Sequence, residues 1–221
     1  MAAWVWSGLA LALLGPGAIA LLWKWSIRET VSIGASAPWL GGFFLLVAAV
    51  AAIALGGERL TWADVGFGGI SWWSIPSALA LALFFIFVFG PIAGQALARF
   101  DLGSFETGQR SLTTLPHWYL CLTIIIVAAG DEWLYRGYAI GRLQALTGNE
   151  WLAGGLSLLA FGLVHLPLWG IGVSLTTLVS GGIVTVLYLW RRDVSFLILA
   201  HIATDLYGLV VTPRQPPKLD R

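Results

Sequence analysis

Runs of about twenty residues with almost no charge recur along this chain, and each is long enough to cross a bilayer core of about 30 Å as a helix. Seven can be laid out, at about 3–23, 37–56, 75–98, 115–146, 151–166, 172–190 and 194–211. Pro167 should end the fifth, and Arg191-Arg192-Asp193 should separate the sixth from the seventh. The predicted fold is therefore all-α, a polytopic transmembrane bundle of seven helices, or eight if residues 60–73 enter the bilayer. That segment, LTWADVGFGGISWW, is too irregular for a clean span. Its Trp62, Trp72 and Trp73 suit the interfacial belt, where an indole keeps its N–H wet.

Composition agrees with the segment lengths. Of 221 residues 58% are hydrophobic and only 10% charged, against about 25% charged in a soluble domain. Mean hydropathy is +0.85. The chain cannot cover itself with a solvated surface, which makes it an integral membrane protein with the lipid bilayer as its first partner. A net charge of +1 argues against a nucleic-acid partner, which needs clustered cations to neutralise phosphates. The single cysteine, Cys121, excludes an internal disulfide and a thiolate metal cluster.

Residues 1–211 read as a single transmembrane domain. The last ten residues, 212–221 (TPRQPPKLDR), hold three prolines and four charges and read as a disordered tail. The longest water-exposed connection is 99–114. Ala18-Ile19-Ala20 resembles a signal-peptidase site, but the first lysine, Lys24, follows the apolar run, so 3–23 reads as a retained helix. Cations at Lys24, Arg28, Arg99, Arg110, Arg214, Lys218 and Arg221 outnumber those at Arg59, Arg142, Arg191 and Arg192. That excess favours an inside C-terminus.

Few ionisable groups fall within the spans, and each needs a partner or a job, because charge near a bilayer centre is costly. They are Asp131, Glu132, Arg136, His165, His201 and Asp205. Glu132 and Arg136 are spaced i, i+4 with the acid first, the favourable order for a helical ion pair. Asp131 lies about 100° around the helix from Glu132 and points elsewhere. His201 and Asp205 repeat the i, i+4 spacing, as do Phe161 and His165. Taken singly, these are a structural ion pair, a core histidine and an orienting hydrogen bond. Taken together, they form a polar cluster contributed by three helices, cheaper to bury in one place around water than apart.

A carboxylate beside a histidine can take a proton from water, while a second histidine with an acid can stabilise the oxyanion of an attacked carbonyl. No serine, cysteine or lysine here looks like an activated nucleophile. Direct attack by activated water on a peptide carbonyl is the natural chemistry. Zinc is the alternative activator, with His165 and His201 as ligands, although the helical H-E-x-x-H signature is absent. Proton carriers also use chains of Asp, Glu and His, but paired broken helices are not evident.

Three stretches, in this order, resemble the CAAX prenyl protease and bacteriocin-processing family (CPBP, or Abi) of intramembrane proteases. DEWLYRG, residues 131–137, resembles its E-E-x-x-x-R motif; Phe161-Gly-Leu-Val-His165 resembles F-x-x-x-H; and His201-Ile-Ala-Thr-Asp205 resembles H-x-x-x-N/D. The resemblance covers about 115–210. It implies a bacterial or archaeal membrane-embedded endopeptidase, often described as a metalloprotease, acting on a membrane-associated or prenylated protein or peptide. No cofactor is implied beyond the zinc alternative. By position, Asp131 (or the second catalytic candidate, Glu132) would activate water with His165, Glu132 would also pair with Arg136, Phe161 would support the second motif, and His201 and Asp205 would hold the oxyanion. Asp131 stands where the family has glutamate, one methylene longer, and Asp205 stands where asparagine is frequent. These departures keep a non-catalytic immunity or scaffold protein as the alternative of a different class.

Overall fold

The computed structural model describes residues 2–26, 31–69, 71–105, 112 and 114–212. It is all-helical, with no strand among the described residues. Five helices are long and apolar enough to cross a membrane: α1 (Ala2–Trp25), α2 (Ile33–Gly57), α3 (Ser74–Arg99), α4 (His117–Thr147) and α5 (Glu150–Arg191). A shorter apolar helix, α6 (Ser195–Val211), follows. The tail, apart from Thr212, and the middle of the 99–114 connection lie outside the described residues.

The 42 residues of α5 are two rods joined at a break. Pro167 removes a backbone donor, and the chain turns three residues later at Gly170, where φ is 78° and ψ 177°. That conformation is open essentially to glycine alone. The break therefore falls beyond the proline rather than at it, and the two arms restore the expected seven helical rods.

The arms pack antiparallel through alternating small and large residues. A Cβ on Gly162 would lie 2.3 Å from Leu178, one on Gly181 would lie 2.9 Å from Leu158, and one on Gly154 would lie 3.1 Å from Thr185. Each missing side chain is filled by a branched one from the opposite arm. In a membrane, where lipid offers helices no hydrophobic drive to associate, such close backbone approach is a main source of cohesion.

Helix α4 is the centre of the bundle. It packs against α1, α2, α5 and α6, and every residue from Asp131 to Ile140 is buried. The charges of DEWLYRG thus sit in protein rather than in lipid. From Trp133 to Ile140 the helix widens into a π-helical stretch, a form that disturbs the regular backbone ladder and is frequent at functional sites. The carbonyl of Tyr135 accepts from Ser157 Oγ of α5 at 2.6 Å. The α4–α5 connection is short: Gly148 takes φ 69°, and Asn149 caps α5 by accepting from Trp151 N at 2.9 Å and Leu152 N at 3.0 Å.

The described residues of 60–73 do not form an eighth span. They fold into a turn around Ala63–Phe67 that packs on the π-helical part of α4. The side-chain hydroxyl and the amide of Thr61 both donate to Asp64, at 2.7 Å each, and hold its carboxyl below the usual carboxylate range. A Cβ on Gly137 would lie 2.5 Å from the Val65 carbonyl, so the glycine that ends DEWLYRG admits this turn. The Gly66 carbonyl accepts from Val194 N at 2.8 Å. Asp193 then ties α3 to α6, accepting from Ser74 Oγ and Ser195 N at 2.8 Å each. Trp62, Trp72 and Trp73 are exposed along this edge.

Candidate active site

Glu132 is the anchor of the polar cluster. Its Oε1 accepts from Arg136 Nη1 at 3.3 Å and lies 3.0 Å from His201 Nδ1 of α6. Arg136 is 1% exposed, so its charge has to be met inside the protein. Besides Glu132 it donates Nη2 to the Gly181 carbonyl at 3.4 Å, and its guanidinium carbon stands 4.1 Å from the centre of the Phe161 ring. A planar cation over an aromatic face is a favourable buried arrangement. Arg136 thereby joins the first motif on α4 to the second on α5.

Phe161 carries the linkage on to His165. The two rings are 4.8 Å apart, edge to face, and the Phe161 carbonyl lies 2.8 Å from His165 Nδ1. A carbonyl can only accept, so Nδ1 carries a proton, and in the neutral ring Nε2 presents its lone pair. His201 is turned the opposite way. Its Nδ1 faces Glu132, and its Nε2 lies 3.6 Å from Asp205 Oδ2, within ion-pair range but too long for a hydrogen bond.

Asp131 differs from its neighbour in having no hydrogen bond to any described residue. Side-chain exposure rises from 3% at Glu132 to 24% at His201 and 39% at Asp205. The cluster is thus most exposed on its α6 side. The three stretches singled out in the sequence are thus brought together, with Glu132 touching the third directly and the second through Arg136 and Phe161.

Among the described residues no group of three or more His, Cys, Asp or Glu side chains is placed to bind a metal ion. Both ring nitrogens of His201 also face carboxylates.

Spacing alone did not reveal Gly181. A Cβ there would lie 3.0 Å from Arg136 Nη2 and 3.2 Å from Phe161 Cδ1. Its signal was a glycine pair inside an apolar helix, which marks close backbone approach. Gly181→Ala should lower stability by about 1–3 kcal/mol through overpacking. Gly182→Ala, where the new atom meets Leu158 at an ordinary 3.7 Å, should be near neutral. Thermal unfolding of both variants in the same detergent checks this. An acid with an enclosed side chain was also missed: Glu58, just past the end of α2, accepts from Tyr138 Oη at 2.5 Å and from Arg142 Nη1 at 3.3 Å. It belongs to the packing of α4 against the first helices, away from the three motifs.

The family model "Rce1-like: Type II CAAX prenyl endopeptidase Rce1-like" matches residues 113–207, the region that holds all three motifs. No curated protein and no solved structure matches the chain. Over residues 113–207, then, this helical membrane protein is similar to the Rce1-like family of type II CAAX prenyl endopeptidases.

Proposed function

We propose that the protein is an intramembrane endopeptidase that hydrolyses a peptide bond of a membrane-associated or prenylated substrate by direct attack of activated water. The observation that carries this reading is the seating of His201. It stands between Glu132 and Asp205, while Arg136 and Phe161 hold Glu132 and His165 in a common wall.

In this reading water enters from the α6 side and is deprotonated by Asp131 and His165. Asp131 has a carboxylate free of other bonds, and His165 has its Nε2 lone pair exposed by the Nδ1–Phe161 contact. The water oxygen bonds to the scissile carbonyl carbon, and its proton passes to one of these groups. His201, protonated on both nitrogens, donates Nδ1–H to Glu132 and Nε2–H to the developing oxyanion. Asp205 orients that ring rather than facing the oxyanion itself, which an ionised carboxylate would repel. When the tetrahedral carbon collapses, the C–N bond breaks and the stored proton goes to the leaving amine. Each such general acid–base contribution is worth about 10²–10⁴ in rate, and a lost oxyanion donor costs about 10²–10³.

The test is cleavage of a panel of peptides, with and without a C-terminal lipid, by the purified protein in proteoliposomes. Cleavage that persists after chelation is the expected result. Loss on chelation with recovery on added zinc would transfer the chemistry to a metal. No cleavage of any peptide, together with capture of a membrane protein by the intact chain, would favour a scaffold instead.

A further inference from the structure

Helices α1 and α2 leave a groove between them at one end of the bundle. It has a volume of about 460 Å³ and is lined by Trp4, Ala52, Ile53, Gly56, Gly57 and Arg59. Small-molecule sites commonly measure about 300–1,000 Å³. Trp4 stands at the start of α1 and Gly57 at the end of α2. The 25 residues of α2 span about 37 Å, more than the hydrocarbon core of about 30 Å, so the groove reaches the level of the lipid headgroups.

Its floor is bare backbone. The last turn of α2, Ile53–Gly57, widens into a π-helical form. A Cβ on Gly57 would lie 2.8 Å from Trp4 Cδ2, so the indole rests directly on the main chain, while a Cβ on Gly56 would meet nothing within 4 Å. Ala52 and Ile53 continue the groove toward the bilayer interior as an apolar wall. Arg59 is the only charged residue of the lining. Its φ is 60°, a left-handed conformation that helix ends ordinarily give to glycine. Leu60 N closes this turn by donating to the Ala54 carbonyl at 2.9 Å. Arg192 offers a comparison. It takes φ 52° at the end of α5, and its guanidinium donates to Gln144 and Glu150. Arg59 is exposed and makes no hydrogen bond or ion pair to a described residue. The carboxylate beside it in sequence, Glu58, is already occupied by Tyr138 and Arg142.

We propose that this groove binds a phospholipid with an anionic headgroup, its phosphate on the Arg59 guanidinium and its glycerol and first acyl carbons over Gly56, between Trp4 and Ile53. A guanidinium matches the oxygens of a phosphate in a bidentate fork. A zwitterionic headgroup brings its own cation and so gains less from Arg59. The site lies outside the three motifs and does not depend on the peptidase reading.

The full chain, purified in detergent, is offered equal amounts of dioleoyl phosphatidylglycerol and dioleoyl phosphatidylcholine, and native mass spectrometry counts the lipid retained. Wild type should hold the phosphatidylglycerol at least about fivefold better, the worth of one cation near an anionic headgroup. Arg59→Gly suits the left-handed backbone, so it should melt no lower than wild type in lipid-free detergent and yet lose the preference. Arg59→Lys should keep most of it. Gly56→Leu fills the groove and should lower retention of both lipids. Lys24→Gln, at the opposite end of α1, should bind as wild type does, and excess inorganic phosphate should not displace the lipid. Equal retention of the two lipids by wild type, or an unchanged preference in Arg59→Gly, would overturn the proposal. So would wild-type retention in Gly56→Leu, loss of the preference in Arg59→Lys or Lys24→Gln, or displacement by phosphate.

Discussion

Asp131→Asn should lower peptide cleavage by about 10²–10⁴ while leaving the protein folded, and His165→Ala should do the same. The two residues owe the bundle little. Asp131 makes no hydrogen bond to a described residue, and the imidazole of His165 binds only a carbonyl of its own helix. Removing either should therefore take away a proton acceptor without opening the ion-pair core around Glu132. Asp131→Glu keeps the carboxylate and should retain cleavage, which separates loss of an acid–base group from loss of shape. Initial rates in proteoliposomes, with thermal unfolding as the control for folding, decide the matter. Wild-type turnover in Asp131→Asn or in His165→Ala would remove that residue from the mechanism.

The membrane helices were legible because segment length and charge content are set by the bilayer, and a bilayer admits few answers. The i, i+4 spacings were equally informative, since a helix fixes which side chains share a face. Glu132 does pair with Arg136, and His201 does face Asp205. What spacing could not supply was contact between helices. That His201 seats on Glu132, or that Phe161 lies between Arg136 and His165, depends on how closely the rods approach. This in turn rests on residues with no chemistry of their own, such as Gly181 and Gly162, which read as ordinary parts of an apolar run. The break in α5 shows the same limit at the backbone. Pro167 announced an interruption, but the turn itself falls at Gly170, because only a glycine can take the φ and ψ that fold the second arm back onto the first.

Arg136→Ala should be the most destabilising single change in the site, at about 3–5 kcal/mol. Its guanidinium meets three things at once: Glu132 Oε1, the Gly181 carbonyl and the face of Phe161. Deleting it leaves Glu132, whose side chain is 3% exposed, with a buried charge facing only His201. It also opens a void between α4 and the two arms of α5. Arg136→Lys should recover only part of the loss, because an ammonium cannot lie flat on Phe161 while reaching both oxygens. The pair Glu132→Gln with Arg136→Met should be more stable than Arg136→Ala, since neither charge is then stranded, although His201 loses its carboxylate. A double-mutant cycle on unfolding in detergent measures the coupling, and a value near zero would show that the pair is not what holds α4 in place. Unchanged stability in Arg136→Ala would mean that water already reaches Glu132, and the wall that joins the three motifs would have to be redrawn around a wet cavity.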